Sequence, residues 1–291
     1  MPWSLYETVA EWNFCPIQGD PARILDEHWC MSPYYTGRDN YYKFPTYPLK
    51  GANITLKDYQ NGTLENWTTG ALHFNGRDQY AILAHADIDR AVTMIAGRGN
   101  AGQSRTVGGA ELRNPQIHTT NFLIEAYFKT ATGQKDGTLI QKMNDAGYAL
   151  RVNEAGGVTL TAKSGGATTS LASRSAVNDG RWHQVIAEAD RKAGTFTIYV
   201  DGRPDASGPG LGSGASLAND ADLYVGGTPQ GQNLDGAIDF IRLARGTLAD
   251  SKTTIDELYA WEFNGPFLYD FAGRQRPADG GCAGAIEGGA Q

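Results

Sequence analysis

The chain has 291 residues, 41% of them hydrophobic and 37 of them glycine, which is enough apolar material for a substantial core and too much for a disordered polymer. Its formal net charge is -7 with the basic residues scattered, which leaves no electrostatic footprint for nucleic acid or an anionic membrane surface. Neutral or cationic partners fit better, although a local basic groove could still hold an acidic sugar. No apolar run reaches bilayer length, and Met1-Pro2-Trp3-Ser4-Leu5 lacks a basic region followed by an apolar one, so any export signal is expected to have been removed or to lie outside this stretch.

Residues 11–14 read as a short strand with Trp12 and Phe14 facing inward. From His28 to Leu49 the chain carries Trp29, Tyr34, Tyr35, Tyr41, Tyr42, Phe44 and Tyr47 among prolines and glycines. That composition forbids a helix but can cover a large apolar area. Asn53, Asn61 and Asn66 each begin a formal glycosylation sequon, and the simpler reading is ordinary turn asparagines. Ala71 to Leu83 predicts two strand pieces around Asn75-Gly76, with Leu72 and Phe74 before the turn and Tyr80 and Ile82 after it. A loop rich in Gly, Ser and Arg lies between Ala96 and Val107.

A regular series then begins. Phe122, Ile124, Ala126 and Phe128 alternate, as do Tyr148, Leu150 and Val152, and then Val158, Leu160 and Ala162 beyond Gly156-Gly157. Further strands are expected at 182–189, 195–200, 222–225 and 236–244, and only 251–259 looks helical. In Thr195 to Val200, Phe196, Ile198 and Val200 share one face and Thr195, Thr197 and Tyr199 the other, which predicts one buried and one wet side. Asp201-Gly202 supplies the positive φ of a tight hairpin, and Asn178-Asp179-Gly180 carries the same signal before Trp182. Many closely spaced strands joined by Gly-rich turns predict an all-β antiparallel sandwich, because parallel sheets would need helical crossovers.

The order WNF (12–14), GALHFNGRDQYAIL (70–83), NFLIEAYFK (121–129), GTLIQKMNDAGYALRVN (137–153), GRWHQVIAEAD (180–190), FTIYVDGRP (196–204) and LDGAIDFIRLARGTL (234–248) resembles the laminin-G-like, concanavalin A-like domains. The resemblance implies a jelly-roll sandwich of two antiparallel sheets over residues 1–265, with an aromatic-rich insertion at 28–49 and a tail at 266–291. The tail, FLYDFAGRQRPADGGCAGAIE (267–287), is similar to the end segment of secreted parallel β-helix proteins. It implies a piece of a longer, extracellular, carbohydrate-active protein with further domains.

Fold alone does not choose among glycosidase, lyase and binder. Sandwich glycosidases carry E-x-D-x-x-E on one strand, and the nearest approach, Glu188-Ala-Asp190, has no closing glutamate; it reads as solvent-face charges. Arg113, His118 and Tyr127 fall in stretches that resemble the three motifs of the alginate-lyase sandwiches. All three stretches crowd within twenty residues, whereas one active-site face would draw them from separate strands. His183 reads as a satisfied structural side chain, and no histidine has a readable serine or cysteine partner.

The resemblance also implies a structural calcium ion, for which Asp26 and Asp239 correspond best by position; a turn residue and a hydrogen-bonding core carboxylate are the alternative reading. Cys15, Cys30 and Cys282 have no CxxC spacing, and they read either as one disulfide, Cys15 to Cys30, with Cys282 left over, or as three buried thiols. Sugar binding needs aromatic faces beside planar polar groups, and Trp29, Tyr34, Tyr35, Tyr41 and Tyr42, interleaved with Arg38, Asp39 and Asn40, have that composition. The expected function is therefore a non-catalytic polysaccharide-binding module. A lyase or hydrolase on the same sandwich, and a structural or protein-interaction module, are the alternatives.

Overall fold

The computed structural model describes residues 8–14, 24, 47–60, 71–88, 106–107, 110–111 and 115–264. In chain order its strands are β1 (Thr8–Asn13), β2 (Lys50–Ala52), β3 (Tyr59–Gln60), β4 (Ala71–Asn75), β5 (Tyr80–Leu83), β6 (Thr106–Val107), β7 (Ala110–Glu111) and β8 (Phe122–Thr130). There follow β9 (Gly137–Met143), β10 (Gly147–Val152), β11 (Val158–Ser164), β12 (Ala167–Ala172), β13 (Trp182–Asp190), β14 (Thr195–Val200), β15 (Arg203–Pro209), β16 (Leu223–Val225) and β17 (Asp235–Arg245). Among the described residues one longer helix, α1 (Ile255–Asn264), comes last.

Among the described residues these strands form an eight-stranded sheet, β15-β14-β13-β8-β17-β4-β3 with β1 also on β17, and a seven-stranded sheet, β12-β11-β10-β9-β16-β5-β2. All the pairings are antiparallel. This is the antiparallel sandwich that the period-two record predicts, in the concanavalin A-like jelly-roll form that the resemblance implies. One alternating set of each strand meets its counterpart between the sheets, so Phe122 of β8 lies 5.5 Å from Tyr148 of β10. Polar atoms that enter this layer find partners: Trp12 donates from Nε1 to the Tyr47 carbonyl (2.7 Å) and the Tyr148 hydroxyl to the Pro115 carbonyl (3.0 Å).

Three local readings need correction. Asn75-Gly76 is not a hairpin turn, because β4 and β5 go to different sheets; Gly76 takes φ +69°, and a Cβ there would lie 2.8 Å from that of Asp235. On β5 the core set is Ala81 and Leu83, with Tyr80 and Ile82 on the opposite face. Both alternating sets of YAIL are apolar enough to face inward, so the pattern does not choose between them. Asn178-Asp179-Gly180 likewise carries the chain from β12 in one sheet to β13 in the other. Asp201-Gly202, at φ 49° and 74°, does close a two-residue hairpin between β14 and β15, as the primed turns require.

Candidate functional site

The outward face of the seven-stranded sheet carries one transverse row set by register: Lys50, Ile82, Tyr224, Gln141, Ala149, Thr161 and Ser170. Directly opposed residues on antiparallel strands share a face, and apart from Ala149 every member of this row is half-buried or exposed. Tyr80 and Tyr224 meet edge to face at 5.8 Å and 73°. The Tyr224 hydroxyl donates to Asp222 Oδ2 at 3.4 Å; burial first, and the charge of Asp222 next, push that hydroxyl above the usual phenol range. Gln141 follows Tyr224 across β9, and beyond it Ala149 and Gly147 make a low floor.

Gly147 is fixed by close approach, since a Cβ there would come within 2.0 Å of the Lys142 carbonyl oxygen. On the far side stand Arg151, Thr159, Thr161 and Ser170, with the last two hydroxyls 2.9 Å apart. Two tyrosines, a primary amide, a guanidinium and hydroxyls around a floor of small residues supply apolar ring surface and planar donors together. That is the chemistry of recognising a sugar's C–H face and its hydroxyls.

The outward face of the eight-stranded sheet is closed. Leu123, Ile186 and Ala244 pack against Leu248 and against Ile255 and Leu258 of α1, and a fully buried leucine such as Leu258 contributes about 1.5–3 kcal/mol. Glu188, read from sequence as a solvent-face charge, is buried here. It accepts from the Leu248 amide and from the Tyr199 hydroxyl (3.2 Å). Burial, with Glu188 beside it, pushes the Tyr199 hydroxyl up to about 12. Asp190 instead holds the turn after β13, accepting from the amides of Lys192 (3.0 Å) and Ala193 (2.9 Å).

In the next row Arg242 donates from Nε to Glu11 (2.8 Å) and from Nη1 to Glu125, whose other oxygen accepts from Gln184 at 2.6 Å. Burial lifts the Glu125 carboxyl above the usual carboxylate range, against the opposing pull of Arg242 and Gln184. One guanidinium thus serves both carboxylates. The carboxylates of this face are thereby committed to holding strands and helix together.

Tyr127 is buried on the same face, stacked on Trp182 at 5.1 Å. Burial first, then the charge of Asp239, pushes its hydroxyl well above the usual phenol range, so it stays protonated. His118 accepts through its carbonyl from the Leu217 amide at 2.9 Å and from Arg191 at 3.4 Å. Arg113 lies outside the described residues. His183 has carboxylates on both ring nitrogens, Asp201 at 2.8 Å on Nδ1 and Asp179 at 3.0 Å on Nε2. The Asp201 hydrogen bond first, against burial, raises the His183 pKa, and the ring clasps two turns together.

Trp29, Tyr34, Tyr35, Tyr41, Tyr42, Asp26 and all three cysteines lie outside the described residues. Asp239 is buried at the register shift of β17, and its carbonyl accepts from the Phe14 amide at 2.9 Å. It offers the hard oxygen that calcium prefers. Among the described residues, however, no group of three or more His, Cys, Asp or Glu is placed to hold a metal ion.

The row on the seven-stranded sheet went unnoticed in the sequence because it is assembled from seven strands. The one local signal was the second tyrosine-bearing alternation, Tyr80 with Ile82, whose face the pattern left open.

Residues 102–252, just over half of the chain, match the family model described as the concanavalin A-like lectin/glucanases superfamily. Domain 4 of AbnA, a GH43 extracellular arabinanase from Geobacillus stearothermophilus, in complex with arabinotriose, is similar at 14% identity and a TM-score of 0.50, covering 87% of this chain and 98% of that domain. The binding domain of Paraclostridial Mosquitocidal Protein 1 is similar at 12% identity and a TM-score of 0.51, over 93% of this chain but 56% of that one. The Ruminococcus gnavus IT-sialidase CBM40 bound to α2,3 sialyllactose matches at 20% identity and a TM-score of 0.40, over 50% of this chain and 83% of that one. At these identities the likenesses at TM-scores of 0.50 and 0.51 show the fold alone, and nothing in the comparisons supports a β-helix end segment at 267–287. The chain belongs to the concanavalin A-like lectin/glucanases superfamily.

Proposed function

We propose that the chain is a non-catalytic carbohydrate-binding module that takes a polysaccharide on the outward face of its seven-stranded sheet. The observation that carries this reading is the contrast in polar side chains. On the eight-stranded face, Glu11, Glu125 and Glu188 are buried and matched within the protein. On the other face Tyr80, Tyr224, Gln141 and Arg151 reach solvent beside a low floor. The arabinanase domain that shares this fold holds arabinotriose, which agrees with a sugar ligand. The reading extends to an extracellular parent protein with further domains, to a second aromatic surface at Trp29, Tyr34, Tyr35, Tyr41 and Tyr42, and to a calcium ion between Asp26 and Asp239.

Affinity electrophoresis against a panel of neutral and acidic polysaccharides, with and without EDTA, tests it. Tyr224→Ala and Tyr80→Ala are each expected to weaken binding about tenfold, the scale of one lost aromatic contact, with the fold intact by circular dichroism. Loss on Trp29→Ala alone would move the site to the aromatic insertion. Binding unchanged by EDTA removes calcium from the reading, and no binding to any polysaccharide removes the reading itself.

A further inference from the structure

We infer that Arg151 and Thr138 form a subsite for a carboxylate, so that the sugar held on the seven-stranded sheet is acidic; this rests on the proposed binding face. Arg151 and Thr138 are register partners across β9 and β10, just past a register shift that takes in Leu139; Leu139 and Ile140 both enter the core, which leaves Thr138 on the side of its partner Arg151. Arg151 Nε and Thr138 Oγ1 are both buried, and neither has a hydrogen-bond partner among the described residues. Orphaned buried polar atoms are rare because each forfeits its bonds to water. Two of them on adjacent strands mark a place where an outside oxygen belongs; Thr138 is 0% exposed and Arg151 half-buried, so admitting that oxygen requires the side chains here to move.

The charge of that oxygen follows from the neighbouring cations. Lys50 lies 3.8 Å from Asp87, and Lys163 lies 3.7 Å from Asp145 while donating to the Asn144 carbonyl at 3.1 Å. Arg151 has the carboxylate of Asp136 in its surroundings, which favours its charged form against the desolvation that opposes it. It nevertheless makes no ion pair or hydrogen bond with any described residue. A guanidinium is permanently charged, and its planar fork of donors matches two carboxylate oxygens. Nε and one terminal nitrogen can therefore take a carboxylate side-on, with the Thr138 hydroxyl donating beside them. The formal charge of -7 opposes this only weakly, because distant surface charges are screened within about 10 Å at 0.1 M salt whereas a direct contact is not.

The test compares matched acidic and neutral probes: polygalacturonate against its methyl ester, hyaluronan against its carboxyl-reduced form, and sialyllactose against lactose. Titration calorimetry on the full chain is expected to show at least one pair in which the acid binds about tenfold tighter, as one charge-assisted contact supplies. Arg151→Gln should abolish that preference, bringing the acid down to the affinity of its neutral partner, whatever that partner itself loses. Arg151→Lys should restore only part of it, since a point charge lacks the fork, and Thr138→Val should weaken the acid alone.

Equal affinity for acid and neutral forms, or a preference that survives Arg151→Gln, overturns the inference and leaves the binding module standing. Failure to bind any of the six probes overturns both. A crystal structure with the preferred acid bound, in which a water and not the carboxylate bridges Nε and Oγ1, also overturns it.

Discussion

The two outward faces of this sandwich are built on the same pleat and used in opposite ways. Across the eight-stranded sheet the row Ile186, Glu125, Arg242 and Glu11 is buried, and its charged groups spend their hydrogen bonds on one another. Across the seven-stranded sheet the row from Lys50 to Ser170, Ala149 apart, reaches solvent, and the adjoining Arg151 and Thr138 keep polar atoms without partners among the described residues. A charge removed from water must be matched inside the protein, so residues on the closed face are constrained by folding. Those on the open face are constrained by whatever docks there. The proposed function accordingly uses the sheet with fewer carboxylates, although the sequence draws attention to the acidic strand Trp182–Asp190.

The sharpest way to break this contrast is Arg242→Ala. The guanidinium is 2% exposed and the carboxyl of Glu125 0%, so its removal strands two acids in a dry layer. Loss of one partner of a buried ion pair costs about 3–5 kcal/mol, to be read as a lower midpoint in urea denaturation. Adding Glu125→Gln to the same chain should recover part of that loss by removing one unmatched charge. A cost below about 1 kcal/mol would mean that this face is wet after all.

A smaller effect is expected at the edge of the same sheet, where His183 sits between Asp179 and Asp201. Its pKa is raised in the folded chain, so its contribution is complete below the unfolded value of about 6.5 and disappears as pH rises through the folded value. Asp179, whose carboxyl the His183 hydrogen bond holds below the usual range, acts in the opposite sense: its contribution is present above about 3.9 and lost as pH falls through its folded value. The clasp is therefore complete between about pH 4 and 6.5. His183→Asn should remove about 1 kcal/mol there, the scale of one net hydrogen bond, and should flatten the decline of stability toward alkaline pH. An unchanged pH profile in the variant would show that the ring is not charged.

What the sequence disclosed follows from the range of the interactions concerned. Period-two alternation is a property of single strands, so Phe122 to Phe128 and Thr195 to Val200 were legible, as was the hairpin at Asp201-Gly202. β12, with the sequence ATTSLA and mostly exposed, and β15, with prolines at 204 and 209, are edge strands of weak apolar pattern. Neither was visible, because an edge strand is held by its neighbour and not by its own burial. Glu188 was misread for a related reason: strand parity fixes its face, but only α1, about seventy residues later in the chain, decides whether that face is dry. The binding row needs the register of seven strands at once, which no local window contains.

The smallest expected effect lies on the open face and sharpens the comparison from the other side. Thr161 and Ser170 share a hydrogen bond of 2.9 Å in an exposed setting, and Thr161→Val keeps the β-branched shape that suits β11. On a face in contact with water, both hydroxyls have solvent as an alternative partner, so stability should move by no more than about 0.5 kcal/mol. Under a hidden cover the same change would leave Ser170 without a partner and cost about 1–3 kcal/mol. A denaturant titration of this one variant therefore asks whether the sheet is available to a ligand, independently of which ligand it is. The change should be read with Arg242→Ala as a pair, because a large cost on one face and a negligible cost on the other is the outcome that only an asymmetric sandwich gives.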